Sequence, residues 1–126
     1  MKQVLLIDDN ALQLSVREAV LRGAGFQVSV ATTGESALAM LRVLRHNIGV
    51  VVTDHIMPGC DGPELVRRVR AMDPGLPIVV LSGLAEANAQ YDGLNVVFRC
   101  KPLPPPELIE LVRTTLGQPE QDRGAA

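Results

Sequence analysis

Residues 50–62, which read VVVTDHIMPGCDG, decide the fold of this chain. A run of β-branched residues continues without a break up to Asp54, and a turn rich in proline and glycine follows. A run of this kind is typical of a strand that is buried on both faces of a parallel sheet. Such strands carry their chemistry at the carboxyl end, where loops leave the sheet. We therefore expect Asp54 at the mouth of a sheet, with a sharp turn behind it.

Other short apolar runs lie on both sides of this strand, at residues 4–7, 26–30, 77–81 and 96–98. Between them, apolar residues recur at helical spacing; Leu12, Val16, Ala19 and Val20, for example, share one face of an amphipathic helix. Asn10 is expected to cap that helix, and Thr32-Thr33-Gly34 is a turn and cap signal. The alternation predicts an α/β fold, a five-stranded parallel sheet that is doubly wound, with right-handed crossovers and helices on both faces.

The segment between residues 82 and 101 has the weakest pattern in the chain. Residues 86–90 are compatible with a short helix, but Asn88, Asp92 and Gly93 weaken it. A helix with Leu108, Ile109, Val112 and Leu116 on one face follows the prolines at 104–106. From residue 117 onward the chain is polar and small. We expect one domain at residues 1–116 and a flexible tail at residues 117–126.

Composition excludes several classes of function. The chain has 126 residues, a formal net charge of -2 and a pI of about 5.6, whereas a nucleic-acid surface usually needs a basic stripe. No apolar run approaches the roughly 20 residues that cross a bilayer. The two cysteines, Cys60 and Cys100, have no metal-ligand spacing. We expect a cytoplasmic domain that binds neither nucleic acid nor membrane.

Four of the five predicted strands end on a residue that can do ionic chemistry: Asp8 and Asp9, then Asp54, Ser82 and Lys101. In a parallel sheet these ends lie on one edge. Three clustered carboxylates repel, so at least one pKa would rise unless a cation neutralised them. A hard divalent ion such as Mg2+ prefers such oxygens, and a metal, a lysine and a hydroxyl are what phosphoryl transfer needs. Asp54 is the natural nucleophile.

These motifs resemble the receiver domain of two-component response regulators. The likeness rests on Ile7-Asp8-Asp9-Asn10, on Asp54-His55-Ile56-Met57-Pro58 with Asp61-Gly62, on Ser82-Gly83 and on Lys101-Pro102. It covers residues from about 3 to 116, and the short spacing from Ser82 to Lys101 resembles receivers that are attached to hybrid histidine kinases. The resemblance implies a flavodoxin-like fold with strand order 2-1-3-4-5.

The resemblance also implies a phosphorelay chemistry. Asp54 would accept a phosphoryl group from the phosphohistidine of a histidine kinase or a histidine phosphotransfer domain. Mg2+, with Mn2+ as a substitute, would be held by Asp8, Asp9, Asp54 and the backbone carbonyl of Ile56. The protein would be a signalling switch that catalyses its own phosphorylation and dephosphorylation, not an enzyme in the usual sense.

Further roles follow from the same resemblance. Lys101 would bind a phosphoryl oxygen, the peptide bond before Pro102 would be cis, Ser82 would be the switch hydroxyl and Phe98 the aromatic that turns inward with it. Phosphorylation would change the face near strand 5 and the last helix, which would meet an unknown protein target. The domain would be a monomer or a weak dimer.

Two other functions compete with this one. A pseudo-receiver would bind proteins without carrying phosphate, although such domains have usually lost an acid or the lysine. A phosphatase with an aspartate nucleophile would need a general acid two residues after Asp54, where this chain has Ile56. A dinucleotide-binding protein is disfavoured because no Gly-x-Gly-x-x-Gly follows the first strand.

Overall fold

The structure, a computed structural model, describes residues 2–57 and 60–116. The predicted turn at residues 58–59 and the predicted tail at residues 117–126 lie outside the described residues. In the part of the chain that the structure describes, the main sheet has five strands, which are β1 (Gln3–Ile7), β2 (Val28–Ala31), β3 (Ile48–Asp54), β6 (Ile78–Ser82) and β7 (Val97–Cys100). A short antiparallel ribbon of β4 (Ile56–Met57) and β5 (Cys60–Asp61) follows β3.

All neighbouring strands of the main sheet are parallel, in the order β2-β1-β3-β6-β7. Counted along the chain, this is the order 2-1-3-4-5, and the predicted fold class is confirmed. The predicted strands differ from the observed ones by one or two residues at their ends. At the start of β2 the difference is two residues: β2 begins at Val28 and not at Phe26, because the N–H of Phe26 still donates to the Leu21 carbonyl at the end of the preceding helix.

Helices cover both faces of the sheet. They are α1 (Ala11–Gly23), α2 (Gly34–Leu44), α3 (Gly62–Met72) and α4 (Pro105–Thr115), with short 3-10 helices at Arg45–Asn47 and Ala85–Tyr91. One hydrophobic cluster joins α2 and α3 to the sheet through side chains such as Leu41 and Val69. The second joins α1 and α4 to the opposite face through side chains such as Leu21 and Val112. The successive side chains of a strand point to opposite faces, so each central strand feeds both clusters.

The predicted helix caps are confirmed. The side chain of Asn10 accepts a hydrogen bond from the backbone N–H of Gln13 at 3.0 Å. Thr33 and Ser36 form a reciprocal capping box at the start of α2. These contacts satisfy N–H groups that a helix leaves unpaired in its first turn, so both helices begin at the strand ends that the sequence indicates.

The face of α1 that packs on the sheet is not the one that apolar spacing suggests. Leu14 and Leu21 are buried, whereas Leu12 is 76% and Val16 is 55% exposed. Ala19 is exposed too. These side chains are exposed because of how the helices pack. Helix α1 lies beside α4, and part of the apolar surface of α1 faces the groove between the two helices.

The crossover between β6 and β7 contains a 3-10 helix, Ala85–Tyr91, in place of an α-helix. Ala87 and Tyr91 are its buried residues, and Tyr91 joins the cluster beneath α2 and α3. The sequence has few apolar residues at helical spacing here, so two buried side chains anchor a tight segment of seven residues.

Candidate functional site

The ends of β1 and β3 bring two aspartates side by side. Ile7 pairs with Thr53 in the sheet, so Asp8 and Asp54 follow at the same level on neighbouring strands. Both are buried, with 1% and 3% of their surface exposed, while Asp9 is exposed. One carboxylate oxygen of each of the three residues lies within 4.8 Å of those of the other two. The structure therefore assembles the three acids that the sequence assigns to this edge.

Burial makes the ionised form of Asp8 costly. The surroundings of Asp8 raise the pKa of its carboxyl from 3.8 to about 6; burial is the largest cause, and the hydrogen bond and charge interaction with Asp54 add to it. Two contacts oppose the rise: the backbone N–H of Asn10 donates to Oδ1 at 2.9 Å, and Arg17 pairs with Oδ2. The chain's own donors and cations thus neutralise the acidic cluster only in part.

Lys101 joins the cluster from the end of β7. Its Nζ lies 3.1 Å from Oδ1 of Asp54, and its side chain is 30% exposed. Its backbone N–H donates to the carbonyl of Ser82 at 2.7 Å, which anchors the start of the loop against β6. The Lys101–Pro102 peptide bond is cis.

Arg17 is a member of the site that sequence reasoning missed. Its Nη1 donates to Oδ2 of Asp8 at 2.9 Å and to Oδ1 of Asp54 at 3.2 Å. Its Nη2 donates to the side-chain oxygen of Gln13 at 2.9 Å, and that oxygen also accepts from Lys101 at 3.4 Å. A signal existed, because Arg17 falls three residues after Leu14 and four before Leu21, on the face of α1 that packs on the sheet.

Ser82 and Phe98 lie near the site but make other contacts. The hydroxyl of Ser82 accepts from the N–H of Leu84 at 2.9 Å and donates to its carbonyl at 3.2 Å. The half-buried ring of Phe98 packs 6.0 Å from the ring of Tyr91. Their switch roles remain predictions. So does the role of the Ile56 carbonyl, in the strand residue two places after Asp54.

His55 and Tyr91 form a second contact that the sequence did not indicate. Nδ1 of His55 lies 2.6 Å from the hydroxyl of Tyr91, and the two rings meet edge to face. Burial, and to a smaller extent the charge of Asp61, raise the pKa of Tyr91. The hydroxyl therefore keeps its proton at neutral pH and can donate it to the imidazole. The contact ties the residue after Asp54 to the 3-10 helix.

The acidic cluster fits a hard divalent cation. Mg2+ takes carboxylate oxygens and water, and it is commonly held through one or two carboxylates without a dedicated cage. Asp8, Asp9 and Asp54 offer such oxygens at a spacing that one ion can span. Their donor chemistry suits Mg2+ better than a softer metal, which would prefer nitrogen or sulfur ligands.

Comparison with known proteins identifies the family. The family model described as response regulator receiver domain matches residues 4–113. The chain belongs to this family. Receiver domains are signalling switches and not enzymes of the usual kind, and they interact with histidine kinases or phosphotransfer proteins.

Individual relatives of this receiver agree with that result. The DNA-binding response regulator MtrA of Mycolicibacterium paratuberculosis is 35% identical over 118 residues, which are 91% of this chain and 51% of that protein. The receiver thus spans about half the length of this curated relative. The chemotaxis protein CheY4 of Vibrio cholerae superposes with a TM-score of 0.83 at 27% identity, covering 91% of this chain and 98% of the other. The receiver domain of the Francisella response regulator 1452 gives 0.83 at 26% identity, covering 94% and 98%.

Within residues 2–57 and 60–116, every helix is too short or too polar to span a bilayer.

Proposed function

We propose that this receiver accepts a phosphoryl group on Asp54 in a two-component phosphorelay. One observation carries the proposal. Oxygens of the three carboxylates lie within 4.8 Å of one another, and the ammonium of Lys101 lies 3.1 Å from Asp54. A nucleophilic carboxylate, neighbouring acids that suit a divalent cation and a lysine are the parts that phosphoryl transfer requires.

The proposed reaction is an in-line displacement. A carboxylate oxygen of Asp54 attacks the phosphorus of a phosphohistidine, the P–N bond breaks, and the imidazole of the donor leaves with the electron pair and takes up a proton. Bound Mg2+ would neutralise charge on the transferring oxygens, and Asp8, Asp9 and Asp54, with the Ile56 carbonyl, would hold it. Lys101 binds a phosphoryl oxygen and stabilises the charge that the product carries on Asp54.

The proposed consequence is a change at the edge of the sheet that β7 forms. An aspartyl phosphate adds charge and acceptor oxygens beside Lys101 and the end of β6. The Ser82 hydroxyl would leave the backbone of Leu84 for the phosphoryl group, and Phe98 would follow it inward. Because Lys101 begins the loop to α4, this rearrangement would alter the surface of β7 and α4 that a target protein reads.

We further propose that the donor docks on α1. Leu12 and Val16 are exposed apolar side chains that line a groove between α1 and α4. The other apolar residues of its lining are Val20, Leu103, Pro105 and Leu108. Gln13 and Arg17 line the same groove and contact the site directly. A donor helix that covers this groove would bring its phosphohistidine to Asp54. The proposal includes a cytoplasmic location, where such kinases present their phosphohistidine.

The test is phosphorylation by a small donor with a P–N bond. Wild-type protein incubated with phosphoramidate and Mg2+ is expected to gain the mass of one phosphoryl group in intact-mass spectrometry. Asp54→Asn is expected to gain none, whereas Asp92→Asn, which changes an exposed loop aspartate, should react like the wild type. Label retained in Asp54→Asn would exclude Asp54 as the acceptor.

One observation favours a second candidate. The guanidinium of Arg17 already bridges Asp8 and Asp54 and occupies oxygens that phosphoryl transfer would use, which favours a receiver that works as a protein-binding module without phosphate. Absence of a mass change in the wild type, together with intact folding, would support this candidate over the first.

A further inference from the structure

Arg17 occupies a position on the buried face of α1, where an apolar side chain would be usual. Leu14, Arg17 and Leu21 follow one another at the spacing of one helical face, and both leucines are buried against the sheet. The side chain of Arg17 is 16% exposed, and its guanidinium reaches the acids at the end of the sheet.

The guanidinium uses the oxygens that a metal ion would need. Oδ2 of Asp8 accepts from Arg17 while Oδ1 accepts from the backbone of Asn10, so each oxygen of Asp8 already has a donor. Oδ1 of Asp54 accepts from Arg17 and lies beside Lys101 as well. Gln13 holds the other end of the guanidinium and so orients it toward the acids.

The charges at the site, like the shared oxygens, disfavour simultaneous binding of the guanidinium and a divalent ion. Asp8, Asp9 and Asp54 carry three negative charges when all are ionised, and Arg17 and Lys101 supply two positive ones. A divalent ion added to this set would leave an excess of positive charge in a partly buried place. Departure of the guanidinium would restore the balance, and the groove that Arg17 lines gives its side chain somewhere to go.

We propose that Arg17 is a built-in competitor of the divalent cation: Mg2+ binds only as the guanidinium leaves Asp8 and Asp54. Arg17 is then a positioning residue that sets the affinity for Mg2+ and links metal binding to a movement of α1 side chains beside the groove. This inference rests on the proposed function, since it concerns the metal that the acidic site would hold.

The first experiment measures the affinity for Mg2+ by calorimetric titration of the full chain. Arg17→Met keeps the aliphatic stem but removes the charge, and it is expected to bind Mg2+ about tenfold more tightly than the wild type, a coupling of ordinary size. Arg22→Met is the matched control, because Arg22 lies on the same helix and pairs with Glu18 away from the acids, and its affinity should be unchanged. Circular dichroism checks that each variant is folded.

The second experiment uses the wild type alone and does not depend on a variant. Phenylglyoxal labelling with peptide mapping is expected to modify Arg17 faster in Mg2+ than in EDTA, because the guanidinium is released. The exposed Arg42 serves as the internal reference.

The outcomes separate this inference from the function on which it rests. Equal or weaker Mg2+ binding by Arg17→Met, or labelling of Arg17 that does not rise with Mg2+, would overturn the inference and leave the acidic metal site standing. If neither the wild type nor Arg17→Met bound Mg2+, both the inference and the proposed metal site would fall.

Discussion

The hydroxyl of Tyr91 lies 2.6 Å from Nδ1 of His55, the residue that directly follows Asp54. Tyr91 is 3% exposed, and its ring packs on both His55 and Phe98. A single buried side chain therefore connects the end of β3, the 3-10 helix and β7. Two of those elements end at the acidic site, β3 at Asp54 and β7 just before Lys101, so this contact links the site to the 3-10 helix that replaces a regular helix.

Removal of the Tyr91 hydroxyl is expected to destabilise the protein modestly. Tyr91→Phe should lower the free energy of unfolding by about 1 kcal/mol, because one buried hydrogen bond is lost while the ring still fills its place. Urea denaturation followed by circular dichroism measures the change. In a His55→Ala background, Tyr91→Phe should lower the free energy of unfolding by much less. Equal losses in the two backgrounds would show that the hydrogen bond contributes nothing to stability.

A residue larger than glycine at position 62 is expected to destabilise the protein. A Cβ at this position would clash with the Tyr91 hydroxyl and lie 2.7 Å from the backbone carbonyl oxygen of His55. Gly62→Ala should lower the free energy of unfolding by about 1–3 kcal/mol, the usual cost of overpacking. Gly83→Ala is the control, since a Cβ there meets nothing within 4 Å and its effect should stay within about 0.5 kcal/mol. Equal stabilities of the two variants would contradict the close packing of Gly62 against Tyr91.

The raised pKa of Asp8 predicts a pH dependence of stability in EDTA. A carboxyl with a pKa of about 6 in the folded chain and 3.8 in the unfolded chain binds more protons when folded across that interval. The contribution of Asp8 to stability is therefore complete below pH 3.8 and is lost as the pH rises through about 6.

Asp8→Asn isolates this effect, because the amide keeps the shape without the charge. The variant is expected to be more stable than the wild type at pH 7.5, by an amount on the order of 2 kcal/mol, and to lose that advantage near pH 3.5. Thermal and urea unfolding in EDTA at the two pH values measure it. A wild type that is the more stable protein at pH 7.5 would show that the Arg17 pair outweighs the burial of Asp8.

Lys101 is expected to couple phosphorylation to the shape of the domain. Lys101→Ala should still gain a phosphoryl group from phosphoramidate. The changes in amide NMR shifts that phosphorylation causes in β7 and α4 should be much smaller than in the wild type, because no ammonium then joins the phosphoryl group to the end of β7. The chain has one other lysine, and Lys2→Ala is the matched control. Shifts of wild-type size in phosphorylated Lys101→Ala would refute the coupling.

The groove between α1 and α4 is expected to recognise a protein donor. Leu12→Ser with Val16→Ser should slow phosphoryl transfer from phosphorylated histidine kinase domains, tested as a panel, by about tenfold or more, because exposed apolar anchors are lost. Transfer from phosphoramidate should not change.

Val43→Ser is the control for this surface, since Val43 is 81% exposed on α2, on the other face of the sheet. It should leave transfer from both kinds of donor unaffected. A loss of transfer as large in Val43→Ser as in the α1 variant would remove the groove from the proposal.

Much of the fold and part of the site could be read from local patterns. Continuous apolar runs indicated the strands, and the rule that parallel strands share one functional edge placed Asp8, Asp54 and Lys101 together. Caps such as Asn10 were readable because a cap involves only residues within one turn of each other. Each of these inferences depends on neighbours in sequence or on one general rule of topology.

The remaining features depend on which element lies beside which. Leu12 and Val16 have the spacing of a buried face, yet they are exposed along the groove beside α4, and Leu14 and Leu21 are the side chains that pack on the sheet. Arg17 shares the helix face of Leu14 and Leu21 and therefore reaches the acidic cluster. A charged residue on an amphipathic helix would ordinarily face solvent.

His55 and Tyr91 illustrate the same limit, because their contact joins residues that are 36 positions apart. Periodicity describes the surface of one helix or strand taken alone. Burial, charge pairing and the pKa of Asp8 depend on the distances between elements, which only the folded chain determines.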